Sequence, residues 1–401
     1  MLAHSLLDPD SNRAVTASRP KGIHVALATV SQLEYTLELA NALARDVRVT
    51  LFLFKRRVGL SVGASEDMQG SMRRQGLLSA DVELVLLPSW RVRDPRNVRA
   101  ILQMRHEIAA RSPDVVHITQ GGGGDLWMAI AGLFVRAYPF VVTLMDAQAH
   151  PGDSPAPWIW RLTNAMAIRL SDRIIVNGRG LVQQMQDNYK IATSKMEYTP
   201  MGPFEVFCRY STGRNRERPN ALLFFGRILK YKGLEYLVRA QPLIARKFPD
   251  VRIVIAGRGE DLERCRVLME DPTCFEVHDS FIPNEKVAQL FEEAAVVVMP
   301  YIEASTSGVL ATAYAFGKPT ITTRVGCLPE IVLDGITGRL VPPGDVEGLA
   351  HAIVELLSDD SLRHRMGENA ARWMKQELSW QEIARQTLGI YEKTIRLRNI
   401  P

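Results

Sequence analysis

Short apolar runs alternate with longer stretches of helical spacing along most of this chain. Gly22–Thr29, Val47–Phe54, Val82–Leu87, Val115–Ile118, Phe140–Met145, Arg173–Val176 and Lys195–Thr199 read as strands. Between them, helical spacing runs through Leu33, Leu37, Leu39 and Leu43, from Asp94 to Arg111, onward from Asp125, and from Gly180 to Tyr189. The same order returns with strands Leu222–Phe225, Arg252–Ala256, Phe275–His278, Ala295–Met299 and Thr320–Thr323, the first four each followed by a helical pattern. Helices over Gly344–Leu357, Ser361–Gln376 and Trp380–Arg398 close the chain. Alternation at this pace predicts βαβ units and parallel sheets. The class expected is α/β, with two Rossmann-like doubly wound domains facing a cleft.

Met201-Gly202-Pro203 breaks the pattern, and 209–220 is polar and rich in turn formers. The divisions expected are therefore a disordered leader (1–20), a first domain (21–203), a second (204–378) and a terminal helix (379–401) packing back on the first. The leader is polar, holds Asp8-Pro9-Asp10 and shows no secretory pattern. Leu126–Met145 approaches membrane-span length, but Arg136, Tyr138 and Pro139 interrupt it, so a helix followed by a strand explains it better.

In parallel sheets, ligands sit at the carboxyl ends of the strands. Gly226 follows an apolar strand there, and Arg227 and Lys232 stand at the mouth of the next helix. Free amides and the dipole at a helix entrance favour phosphate, although a solvated surface turn would carry the same residues. Gly257 belongs to a G-x-G turn, but Leu262 occupies the place of a third glycine, which weakens a nicotinamide-cofactor reading. Gly121, Gly122, Gly123 and Gly124 would let a ligand approach backbone closely, or form a flexible turn. The loop from Asp146 to Asp153 gathers two carboxylates and His150 beyond a strand end.

Charge changes the picture in one respect. Residues 1–202 hold 23 Lys and Arg against 18 Asp and Glu, so the formal +5 lies entirely in the first half. It concentrates at Arg73, Arg74, Arg91, Arg93, Arg96, Arg99 and Arg105. No aromatic interleaving or nucleic-acid motif accompanies it, so an anionic membrane surface is the partner expected in preference to nucleic acid, with a solvated helix face as the alternative. Cys208, Cys265, Cys274 and Cys327 lack metal-ligand spacing and read as reduced thiols of a cytoplasmic protein.

The segment Met299-Pro300-Tyr301-Ile302-Glu303-Ala304-Ser305-Thr306-Ser307-Gly308-Val309-Leu310, continuing to Ala315-Phe316-Gly317-Lys318-Pro319, resembles the donor-binding region of family 4 retaining glycosyltransferases, the group 1 enzymes of GT-B fold. Gly226-Arg227 with Lys232-Gly233, Arg324–Glu330, Asp334–Val341, Asp114–Ile118, Thr143–Asp146 and Ser171–Val176 are similar to that family too, so the likeness covers nearly everything beyond residue 20. It implies a nucleoside-diphosphate sugar (UDP- or GDP-) as substrate, transferred to a lipid-linked, polysaccharide or glycoconjugate acceptor, without cofactor or metal. On the same grounds Arg227 and Lys232 would neutralise the departing diphosphate, and Ser307, Gly308 and Val309 would start a phosphate-holding helix. Gly226 and Gly257 would lie close to the donor, Phe281 and Ile282 would meet the base, and Gly121–Gly123 would border the acceptor. The family's E-x7-E pair falls on Ala304 and Thr312, leaving Glu303 one residue off and Thr312 as a hydroxyl donor to ribose. Met145 stands where a histidine is common, and Asp146 and His150 are expected near the reacting sugar. The altered glutamate pair leaves a non-catalytic sugar-nucleotide-binding scaffold as an alternative, with an epimerase or a phosphorylase behind it.

Overall fold

The computed structural model describes residues 22–63, 67–91, 94–120, 126–153 and 156–398. The leader, Arg93, the glycines Gly121–Gly124 and Asp125 lie outside the described residues.

Seven strands form the first sheet: β1 (His24–Thr29), β2 (Arg48–Phe54), β3 (Val82–Leu87), β4 (Val115–Gln120), β5 (Phe140–Leu144), β6 (Arg173–Val176) and β7 (Met196–Tyr198). They are all parallel, in the order β3-β2-β1-β4-β5-β6-β7. Helices on both faces explain why these strands read as unbroken apolar runs rather than alternating ones. The second sheet holds β8 (Ala221–Phe225), β9 (Arg252–Ala256), β10 (Phe275–His278), β11 (Val296–Met299), β12 (Thr320–Thr323) and β13 (Gly338–Val341), parallel in the order β10-β9-β8-β11-β12-β13. The order reverses between β1 and β4 and again between β8 and β11, which opens a crevice beyond the carboxyl ends of each pair.

Several elements were not evident in the sequence. The helices Lys55–Val62, Met68–Arg74 and Pro157–Leu170 and the edge strand β13 are all present. The basic helix starts at Asn97 rather than Asp94, because the Asp94 carboxylate accepts from the Arg96 amide and forms a turn ahead of it.

The two lobes share one apolar cluster, in which Leu27, Met145, Phe204, Tyr301 and Tyr391 all take part. The final helix, Trp380–Arg398, packs on the first, Leu33–Leu43, with Tyr35 and Trp380 edge to face at 5.3 Å. Within it, Tyr391 hydrogen-bonds His117 Nδ1 at 2.6 Å, and His117 Nε2 meets Thr143 at 2.7 Å. Burial drives the His117 pKa down to about 3, so this ring is a neutral core group. Across the lobes, the Glu330 carboxylate accepts from the Arg179 and Gly180 amides, each at 2.8 Å, where helix Arg179–Tyr189 begins.

Candidate functional site

A cavity of about 300 Å³ lies between the lobes. Its wall is built from the ends of β5, β8 and β11. At the end of β8 the chain turns at Gly226, whose φ of 108° lies in the region that favours glycine. Arg227 follows on the cavity wall, and a single 3-10 turn, Lys230–Lys232, brings Lys232 to the same wall. The helix after it begins at Leu234, with Gly233 pressed against the Pro300 carbonyl. None of Gly233, Leu234 and Glu235 lines the cavity, so this entrance does not open on it as the sequence led one to expect. The helix end that does is Gly308–Ala315: Ser307 caps it by accepting from the Leu310 amide, and Ser307, Gly308, Val309 and Thr312 line the cavity.

The two cations differ in their surroundings. Arg227 pairs with the buried Asp153 of the opposite lobe and donates to the Tyr231 hydroxyl at 3.3 Å. The Lys232 ammonium stands 3.9 Å from the Tyr301 ring centre and 5.0 Å from that of Tyr231. Among the described residues Lys232 makes no ion pair, and the buried Tyr301 hydroxyl has no hydrogen-bond partner. Aromatic faces thus hold this charge in place without neutralising it.

Beyond β5, Asp146 and His150 reach the cavity from the first lobe. The Asn164 side chain fixes this loop by donating to the Asp146 carbonyl at 2.9 Å. His150 is buried and stacked on Tyr231, ring centres 4.7 Å apart. Its Nδ1 lies 2.9 Å from Glu303, while Nε2 faces Asp146 and Ser305, each at 3.3 Å. Burial works to lower the His150 pKa, but bonds and charge from Asp146, then Glu303, outweigh it and raise the net value.

Glu303 therefore acts on His150. It does not line the 300 Å³ cavity, where Ala304 stands, but a second one of about 720 Å³ on the other side of His150, with Trp158 and Arg161. Thr312 lines the first cavity, yet its hydroxyl donates to the Gly308 carbonyl at 2.7 Å and keeps only acceptor capacity for a ligand. Three expected donor contacts lie off the wall. Gly257 (φ 142°) is needed because a Cβ there would meet the Gly226 carbonyl oxygen at 1.8 Å, so it serves a crossing of two backbones. Ile282 is buried in the shared core, and Phe281 is half exposed away from the lining. Gly121, Gly122 and Gly123 fall outside the described residues. Sequence reasoning passed over Tyr231 and Tyr301 as site residues, although both were visible beside Lys232 and Glu303. Among the described residues no three His, Cys, Asp or Glu side chains converge so as to hold a metal ion.

Comparison with known proteins adds two family matches. Residues 219–359 match the model of "Glycosyl transferases group 1", and residues 32–202 match that of the "Glycosyl transferase 4-like domain". An uncharacterized glycosyltransferase of Methanocaldococcus jannaschii is 32% identical over 178 residues, 43% of this chain and 44% of that protein. A D-inositol 3-phosphate glycosyltransferase of Corynebacterium jeikeium is 30% identical over 288 residues, 67% of this chain and 68% of that protein. Among solved structures, Anabaena HepE in complex with UDP-glucose superposes with a TM-score of 0.65 at 16% identity, over 93% of this chain and all of that one.

Proposed function

The chain belongs to the group 1, family 4-like glycosyltransferases of GT-B fold, and on that premise we propose that it transfers a sugar, with retention, from a nucleoside-diphosphate donor to a lipid-linked or polysaccharide acceptor in the cytoplasm. The observation that carries this reading is the wall formed by Arg227, Lys232 and the amino end of helix Gly308–Ala315. A diphosphate seated there meets two cations and free backbone amides, and its developing charge is stabilised as the glycosidic bond breaks. UDP is one candidate nucleotide, since the Anabaena neighbour carries UDP-glucose.

In this proposal the sugar lies toward Asp146 and His150. The acceptor hydroxyl attacks from the face the diphosphate leaves, and the departing phosphate oxygen takes its proton, so no side chain forms a covalent intermediate. His150, held by Glu303, donates toward a sugar hydroxyl, which makes Glu303 a positioning residue. No metal is required, because Arg227 and Lys232 supply the positive charge. The test is release of nucleoside diphosphate from UDP- and GDP-sugars, alone and with glycan or lipid-extract acceptors. Acceptor-stimulated release that falls by roughly 10²–10³-fold without the Lys232 charge is expected. If no donor is turned over and neither UDP nor GDP binds at the wall, the proposal fails.

A further inference from the structure

The basic residues picked out in the sequence do not form one patch. Arg73 and Arg74 lie on helix Met68–Arg74, where Arg73 donates to the Val82 carbonyl and Arg74 pairs with Asp67. Arg96 is tied to Asp94. Arg91 lies in the loop ahead of the next helix, whereas Arg99 and Arg105 belong to a different surface, made by three helices packed side by side on one face of the first sheet: Asn97–Arg111, Leu126–Val135 and Pro157–Leu170.

The middle helix carries no charge at all, and its outer residues Ile130, Leu133 and Phe134 are partly or largely exposed. On one side of it stand Val98, Leu102, Arg99 and Arg105. On the other, Trp158, Leu162, Arg161 and Arg169 share one exposed stripe. Trp158 is 67% exposed. The three helices contain five arginines against a single acid, Glu107, which Arg111 already neutralises. Among the described residues Arg99, Arg105, Arg161 and Arg169 make no ion pair.

We propose that this face docks on an anionic lipid bilayer. An apolar centre bordered by arginines outside any ion pair, of which Arg105 lies over the Phe134 ring at 5.7 Å, and by an exposed tryptophan matches the layering of a bilayer surface, with acyl chains inside and negative headgroups around. A second copy of the chain fits poorly, because a two-fold contact would set arginine against arginine. Nucleic acid would leave the apolar centre unused. Trp158 and Arg161 also line the 720 Å³ cavity beside His150 and Glu303, so docking brings the cleft to the lipid surface. The proposal rests on this surface alone and not on transferase activity.

The full chain should co-sediment with vesicles of phosphatidylcholine containing a third phosphatidylglycerol, and not with pure phosphatidylcholine. Binding should weaken about fivefold per arginine, hence on the order of 100-fold in Arg99→Gln/Arg105→Gln/Arg161→Gln, and fade with added salt. Leu102→Ser/Leu162→Ser should reduce it further. The charge-matched control Arg239→Gln/Arg246→Gln/Arg365→Gln, on the other lobe, should bind as the wild type does. Thermal unfolding of each variant verifies that it is folded. Absence of wild-type binding, equal binding to neutral vesicles, equal loss in the control, or retention by a DNA duplex in place of vesicles each overturns the proposal.

Discussion

Replacing Lys232 by methionine separates what its charge does for turnover from what its stem does for the fold. In the structure the ammonium rests over two tyrosine rings, contacts worth about 0.5–2 kcal/mol. Methionine keeps an apolar chain over the same rings and gains sulfur–aromatic contact, so stability should change by about 1 kcal/mol or less. On the role proposed for Lys232 at a departing diphosphate, the catalytic cost is larger. A unit charge about 4 Å from a diphosphate oxygen is worth roughly 4 kcal/mol at an effective dielectric of 20, and losing one such stabiliser costs about 3–4 kcal/mol of barrier. Turnover should therefore fall by roughly 10²–10³-fold. The assay is kcat/KM for acceptor-dependent nucleoside diphosphate release, run beside thermal unfolding. A loss under tenfold, or one matched by an equal loss of stability, would refute the assignment of Lys232 to the leaving group.

Three further outcomes follow from the geometry. Glu303→Gln removes one of the two carboxylates holding His150, so the His150 pKa should fall, as NMR titration would read. A raised histidine pKa contributes stability that is full below about 6.5 and lost as pH rises through the native value. The variant's deficit should thus be widest in acid, about 1 kcal/mol given Glu303's partial exposure, and close toward pH 8. Glu38 is buried, and burial, against the opposing pull of Arg209, pushes its pKa from 4.5 to about 7. Its contribution is present below 4.5 and lost as pH rises through 7, so Glu38→Gln should be more stable than wild type at pH 8, by up to roughly 3 kcal/mol, and no different near pH 4 in denaturant melts. Gly257→Ala sets a methyl against the Gly226 carbonyl. It should cost about 3 kcal/mol or more, seen as a lowered Tm or insoluble expression, and a near-native Tm would count against the close crossing.

The alternation of strands and helices was legible because both sheets are parallel and covered, so that apolar runs such as Phe140–Leu144 stand out from their surroundings. Strand β13 was not, since Gly338-Arg339 opens a short edge strand with neither an apolar run nor alternation. Helix Pro157–Leu170 hid for a similar reason, its exposed stripe holding Trp158 and Leu162 where polar residues were expected. In the site, Arg227, Lys232, Asp146 and His150 could be singled out by their places after strand ends, and Ser307 and Gly308 by the family resemblance, and all six line one cavity. The meeting of Glu303 with His150, 153 positions apart, follows from how the lobes face each other and leaves no trace in local spacing. Gly257 was expected to lie close to the donor and instead serves a crossing of two backbones, a distinction that sequence spacing does not make.

The return of the last helix to the first lobe sets the order in which the protein can mature. The His117 ring, at the centre of the first sheet, meets its phenol partner in Tyr391, 274 positions later in the chain. While the ribosome is still translating the second half, the nascent first half exposes the groove that Trp380, Ile383 and Tyr391 will fill. Native closure of that half therefore waits until residues 380–391 have been made, and chains truncated ahead of Trp380 should be captured by chaperones or degraded, however complete their second lobe.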